Sequence, residues 1–128
     1  TTYQVSIFYK IENVDTTLSM SSSNRIGGDG EVSPTVQYSL SNKWRLNKKN
    51  SFLSELSYLD RSLYRTTLEN SDKVKTEKIM LGYAYNININ WSLDLSYVYL
   101  KRTKSANNHA SNNRIMLSMQ WKPEEIQL

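Results

Sequence analysis

Apolar and polar residues alternate with a period of two along most of this chain, most clearly in residues 91–100. One side of that run carries Trp91, Leu93, Leu95, Tyr97 and Tyr99, and the other carries Ser92, Asp94, Ser96, Val98 and Leu100. Successive side chains of a β-strand point to opposite faces, whereas a helix would distribute the same residues around its axis. The alternation therefore predicts strands with one apolar and one polar face.

Seven such runs are predicted, joined by connections that alternate in length. The runs are 3–10, 15–23, 36–45, 52–63, 78–87, 91–100 and 114–121. The run 15–23 is the weakest, because Leu18 and Met20 are its only large apolar residues. In the run 52–63, Ser54 and Asp60 fall on the apolar face, which indicates a bulge near Asp60 or, for a strand that crosses a membrane, the point at which it leaves the membrane.

All three tryptophans are predicted to lie at one end of their strands. Trp44 precedes the short connection 46–50, Trp91 follows the short connection 86–90, and Trp121 closes the last run. Phe52 opens the run that follows Trp44. Large amphipathic aromatics at one level of an apolar face are typical of a membrane–water interface.

The lengths of the connections predict an orientation. Connections 11–14, 46–50 and 86–90 are short, whereas 25–33, 66–76 and 104–113 are long and polar. Outer-membrane barrels have short periplasmic turns and longer extracellular loops. The tryptophans would then mark the periplasmic interface, and Tyr64 and Tyr99 would belong to the outer aromatic girdle.

The overall composition leaves the membrane interpretation open. Mean hydropathy is −0.61, and no apolar run approaches the roughly 18–20 residues of a transmembrane helix. A transmembrane strand escapes both criteria, because only every second residue meets lipid. A soluble lipocalin-like barrel also alternates, but its exterior usually has denser Lys and Glu than the Ser- and Gln-rich polar face here. We predict an all-β, antiparallel, up-and-down transmembrane β-barrel over residues 1–122, followed by a short tail, 123–128.

The odd number of predicted strands requires an explanation, because single-chain bacterial barrels normally have an even number. Either an earlier strand is missing, or two runs are misread, or the chain completes a larger barrel with other strands. We favour the interpretation that these residues form the C-terminal part of a longer barrel chain.

Charged residues on the predicted inner face are Lys43, Arg45, Glu55, Arg61, Lys78, Asp94 and Arg114. They are compatible with a water-filled channel. They are equally compatible with a narrow barrel of about eight strands whose interior is filled by paired side chains.

Chemical motifs are scarce. The chain has no cysteine, and His109, in a predicted polar loop, is its single histidine, so we expect neither a metal site nor a cofactor. Glu124 and Glu125 are adjacent in the tail, and Gly27–Gly30 lacks the Lys-Ser/Thr of a phosphate loop. No Gly-x-Ser-x-Gly elbow is present, and the 16 basic residues are scattered. We expect neither an enzyme nor a nucleic-acid-binding protein.

The stretch 91–105, with the later run 113–121, resembles the final hairpin of outer-membrane β-barrels. It is most similar to the β-barrel porins of polysaccharide and exosortase gene clusters, and also resembles the C-terminal barrels of surface-lipoprotein export modulators. Leu117, Met119 and Trp121 match the alternation of a barrel-assembly signal, although the usual Gly is absent and seven residues follow Trp121.

We therefore expect an outer-membrane protein of a Gram-negative bacterium, with the lipid bilayer as its main partner. The expected function is a porin-like or export channel for hydrophilic solute or polymer, with a modest preference for anions. The alternative is an accessory barrel that contacts other envelope proteins, or further strands of a larger barrel, without conducting.

Overall fold

A computed structural model describes residues 2–26, 32–63, 72–104 and 108–123. They form seven strands: β1 (Tyr3–Ile11), β2 (Val14–Ile26), β3 (Val32–Arg45), β4 (Asn50–Leu63), β5 (Asp72–Asn86), β6 (Trp91–Lys104) and β7 (Asn108–Trp121). Each strand pairs antiparallel with its neighbours in the chain, which gives one up-and-down sheet in the order β1 to β7. The predicted all-β antiparallel architecture is confirmed.

Several strands extend beyond the predicted runs. β5 begins at Asp72 and β7 at Asn108, so much of the predicted connections 66–76 and 104–113 is strand. His109, predicted in a loop, pairs with Thr103 in the β6–β7 ladder. The ladder is a backbone interaction, and it continues through polar residues after the apolar alternation has ended.

The bulge considered near Asp60 is absent. Asp60 is paired with Val36 on one side and with Lys75 on the other, without a break in either register. Ser54 likewise keeps its place opposite Asn42. The polar residues on this strand therefore interrupt the apolar pattern without interrupting the backbone pairing.

Two of the short connections share a turn built around asparagine. The Asn47 Oδ1 atom accepts hydrogen bonds from the backbone N–H groups of Lys49 and Asn50, both at 2.9 Å. Asn88 does the same for Asn90 at 2.9 Å and Trp91 at 2.8 Å. An asparagine side chain that caps the backbone in this way favours a turn, which explains where these strands reverse.

The first connection is tighter. Glu12 and Asn13 alone join β1 to β2, and Glu12 has a φ of 24°. Two-residue hairpins favour turns with positive φ, because their twist matches that of the flanking strands. Glu12 therefore adopts a backbone conformation that suits Asn or Gly better than glutamate.

Each short turn is also hydrogen-bonded to the following hairpin. The carbonyl of Asn13 accepts from the N–H of Arg45 at 2.8 Å, and that of Lys49 accepts from Asn86 at 2.8 Å. The carbonyl of Asn90 accepts from Lys122 at 2.7 Å. Each short turn therefore lies further along the strand direction than the short turn before it.

The sheet is open, which differs from the closed barrel expected from the sequence. β1 and β7 are its two edges, and no ladder joins them in the described part of the chain. Every described residue of both strands is exposed. An edge strand has unpaired backbone N–H and C=O groups, so both edges are able to pair with further strands.

We predict that Asn88→Ala lowers the free energy of unfolding by about 1 kcal/mol, because two backbone donors lose their acceptor. Asn88→Asp, which keeps an acceptor oxygen in the same place, should retain most of the stability. Urea unfolding of the refolded protein measures both. Equal losses of stability in the two variants would show that the Oδ1 atom of Asn88 does not fix the turn as a hydrogen-bond acceptor.

Candidate functional site: the two faces of the sheet

The apolar face of the sheet is not covered by any other part of the described chain. No hydrophobic residue among those described is buried, and even in the central strands Leu56 is 48% and Leu95 45% exposed. Along the middle of β5, Ile79, Leu81 and Tyr83 are exposed while Met80, Gly82 and Ala84 are half-buried. In this central part of the sheet the polar face is therefore the more enclosed one.

The ends of the hairpins shift from one hairpin to the next: the pairing of β3 with β4 ends one residue beyond the ladder that contains Trp44, and that of β5 with β6 ends three residues beyond it. The ladder that starts at Trp44 passes through Phe52, Tyr83 and Leu95 to Leu117. Trp121 lies four residues beyond Leu117, toward the short turns, and four strands from Trp44. A line that moves one residue toward the short turns at each successive strand therefore joins Trp44 to Trp121, and we call this line the tryptophan level. With ordinary strand dimensions, a shift of one residue per strand corresponds to a strand tilt of about 35°.

The predicted interface aromatics near the short turns lie on or close to this tilted level. Trp91 and Phe52 each lie within one residue of the level through Trp44 and Trp121. Trp91 pairs directly with Trp121, and their ring centroids are 6.4 Å apart. Tyr85, which the sequence did not single out, lies at this level too.

A second aromatic level lies nearer the long connections. Tyr38 is six residues from Trp44 on β3, and it pairs with Tyr58 at a ring distance of 6.4 Å. With the same shift of one residue per strand, Tyr58 and Tyr99 both lie seven residues from the tryptophan level. Tyr64, also predicted for this girdle, is outside the described residues.

Charged residues begin just beyond the second level on the same face. Asp60, Glu77 and Lys101 lie eight or nine residues from the tryptophan level. That separation corresponds to a height of about 22–25 Å for tilted strands. Apolar bands of outer-membrane barrels are about 25 Å tall and are flanked by aromatic girdles.

One polar row crosses the apolar face. The Thr16 hydroxyl donates to Oδ1 of Asn42 at 2.8 Å, and the Asn42 amide donates to the hydroxyl of Ser54 at 3.5 Å. Ser54, which interrupts the apolar alternation of β4, is therefore bonded to Asn42 on β3 and is linked through it to Thr16 on β2. These side chains satisfy one another, which lowers the cost of placing them among apolar neighbours.

The ladders place all seven charged residues predicted for the inner face on the polar face of the sheet. These residues are Lys43, Arg45, Glu55, Arg61, Lys78, Asp94 and Arg114. Cross-strand ion pairs form there among the described residues. Arg45 contacts Asp15 through two N–O pairs at 3.1 and 3.4 Å, and the Lys78 ammonium is 3.4 Å from a Glu55 oxygen.

Five charged residues of this face were not singled out from the sequence, namely Lys10, Asp15, Arg25, Arg102 and Lys104. Asp15 lies in the weakest predicted strand, and Arg25 and Arg102 lie beyond the ends of the predicted runs. Continuing the alternation past the last apolar residue would have placed both arginines on the polar face. The pairing of Asp15 with Arg45 depends on the register between strands, which alternation within one strand does not contain.

The described residues hold no group of three or more His, Cys, Asp and Glu side chains arranged to bind a metal ion. Within the same residues, no helix is long and apolar enough to cross a membrane.

Comparison of the chain with known protein families, curated proteins and solved structures finds no match.

We predict a coupling energy of about 0.5–1 kcal/mol between Asp15 and Arg45 in a double-mutant cycle of unfolding free energies. The magnitude is modest because the two side chains are 34% and 41% exposed. Asp15→Asn, Arg45→Gln and the double variant complete the cycle. A coupling above about 2 kcal/mol would show that the pair is enclosed by further protein, as in a filled barrel.

Proposed function

We propose that this sheet is the wall of a transmembrane β-barrel in a bacterial outer membrane, and that its polar face lines a channel for hydrophilic solute or polymer. The observation that carries the proposal is the uncovered apolar face, bounded by two aromatic levels and then by charged residues. Monomeric soluble proteins rarely expose contiguous apolar surfaces larger than a few hundred Å². A lipid bilayer would cover such a face over its whole height.

The stagger of the strands supports the same proposal. A tilt of about 35° lies at the lower end of the roughly 35–45° range of outer-membrane barrels. In the proposed orientation the tryptophan level and the short turns face the periplasm, and the long connections face outward. The polar face, which is the more enclosed one in the central part of the sheet, then becomes the inner wall.

Closure of the barrel requires strands in addition to the seven described. The exposed edges of β1 and β7 are the places where those strands would pair. Exposed backbone donors and acceptors are not tolerated in the hydrocarbon region of a bilayer. We propose that further strands of a longer polypeptide, or strands of other chains, satisfy both edges.

In the proposed channel, solute moves along a wall of small polar side chains. Ser19 and Ser39 face each other across β2 and β3 with their hydroxyl oxygens 2.5 Å apart. The polar face also carries more basic than acidic residues among those described, which would give a modest preference for anions. No catalytic step is proposed, and the lipid bilayer is the main partner.

The second candidate function is a non-conducting barrel that anchors or contacts a larger envelope assembly. The cross-strand ion pairs on the polar face favour it, because side chains that pair in this way fill the interior of small barrels. The two candidates differ in whether the completed barrel has an open lumen.

We predict that the intrinsic tryptophan fluorescence is quenched by brominated lipids when the protein is refolded into vesicles. Bromine near the headgroup should quench more strongly than bromine near the end of the acyl chain, because Trp44, Trp91 and Trp121 share one interfacial level. Water-soluble acrylamide serves as the control quencher. Acrylamide quenching with no bromolipid quenching would contradict membrane insertion.

We predict that the completed barrel, with the further strands that pair with β1 and β7, gives stepwise conductance in planar bilayers and a reversal potential in a KCl gradient that indicates a preference for chloride. Lys43→Glu should shift that potential toward cation selectivity, because Lys43 belongs to the proposed inner wall. Lys75→Glu is the matched control, since Lys75 lies on the opposite face of the sheet. Insertion without conductance steps would favour the non-conducting barrel.

A further inference from the structure

We propose that Arg25, Arg61 and Arg102 form a binding site for multivalent oxyanions at the long-connection end of the polar face. The ligand class is a solute that carries several phosphate, sulfate or carboxylate groups. The placement of the site inside a channel rests on the proposed function, but the binding itself does not. The site would give the proposed channel a solute preference beyond that of its overall basic charge.

The first support is the position of the three arginines. Arg25 is eleven residues from the Trp44 ladder on β2, Arg61 is nine on β4 and Arg102 is seven on β6. The distance from the Trp44 ladder falls by two residues from β2 to β4 and again from β4 to β6. This change equals the shift of one residue per strand that defines the tryptophan level. The three side chains therefore lie at one level of the polar face, about 28 Å from the tryptophan level.

The second support is a shared cavity. All three arginines line one depression of about 380 Å³ on the polar face. Its other lining residues are Ser23, Thr35, Gln37, Leu59 and Thr76. Guanidinium groups bind phosphate and carboxylate through paired hydrogen bonds, and the hydroxyl and amide groups add further donors.

The third support is that no carboxylate lies near the three arginines among the side chains that the structure describes on this face. The acidic side chains described on the polar face are Asp15, Glu55 and Asp94, and all three lie within five residues of the tryptophan level. Arg45 and Lys78, nearer that level, form ion pairs. Among the residues that the structure describes, none of the three arginines does. Their charge is thus available to a ligand.

The spacing of the arginines selects for extended ligands. Neighbouring arginines lie on alternate strands, which places their Cα atoms about 12 Å apart along the level. A single monovalent ion would contact one or two guanidinium groups. A chain of several anionic groups would contact all three, so affinity should rise with the number of charges on the ligand.

The test is isothermal titration of inorganic tripolyphosphate into the full chain refolded in a nonionic detergent, at fixed salt. We expect saturable binding that is tighter than for inorganic phosphate, and no binding of the neutral sugar maltoheptaose. Arg61→Gln should weaken tripolyphosphate binding about tenfold, which corresponds to 1.4 kcal/mol. Arg61→Lys should give an intermediate value, because it keeps the charge and loses the paired hydrogen bonds.

Arg114→Gln is the matched control. It removes one guanidinium from the same face but from outside the cavity, and it should change the affinity less than twofold. Circular dichroism of each variant establishes that the β-structure is retained. An equal affinity in the wild type and Arg61→Gln, or an equal loss in Arg61→Gln and Arg114→Gln, would overturn the site.

The titration also separates this site from the proposed channel. Tripolyphosphate binding that depends on Arg61, in a protein that gives no conductance, would refute the channel and leave the site in place. Conductance with the same anion preference in the wild type and Arg61→Gln, together with unchanged titrations, would leave the channel and refute the site.

Discussion

The hydrogen bonds between each short turn and the next hairpin fix the geometry on which the rest of this structure depends. The carbonyls of Asn13, Lys49 and Asn90 accept hydrogen bonds from N–H groups at the end of β3, at the end of β5 and just after β7. These bonds make every hairpin extend beyond its predecessor, and the resulting stagger sets the tilt of all seven strands. The alignment of the tryptophans, and that of the three arginines on the other face, both follow from it.

The two faces of the sheet reverse the usual arrangement of a soluble β-protein. An antiparallel sheet in water normally packs its apolar face against a core and exposes its polar face. Here the apolar face is exposed, and the side chains on the polar face pair with one another. The proposed membrane location would account for this reversal, since lipid would cover the apolar side chains and the polar face would line the interior of the proposed barrel.

Much of the fold follows from alternation alone, because the period of two is a direct consequence of strand geometry. The strand character of each run and the face of the seven charged residues predicted for the inner side could be predicted in this way, and the short connections predicted the antiparallel order. Even the weak run that contains Leu18 and Met20 forms a strand, since its neighbours supply the ladder on both sides.

The ends of the strands could not be predicted, because backbone pairing continues through residues such as His109 that carry no apolar signal. The grouping of Arg25, Arg61 and Arg102 depends on the register across five strands. Register is a relation between strands, so the residue pattern within a single strand does not contain it.

The nearest-neighbour order of the strands has a consequence for how such a sheet can change in size. Each strand contacts only the strands before and after it in the chain. A whole hairpin can therefore be duplicated or deleted without altering the pairing of the others. The sheet behaves as a linear array of hairpins, in which the number of strands can change while the length of each strand stays the same.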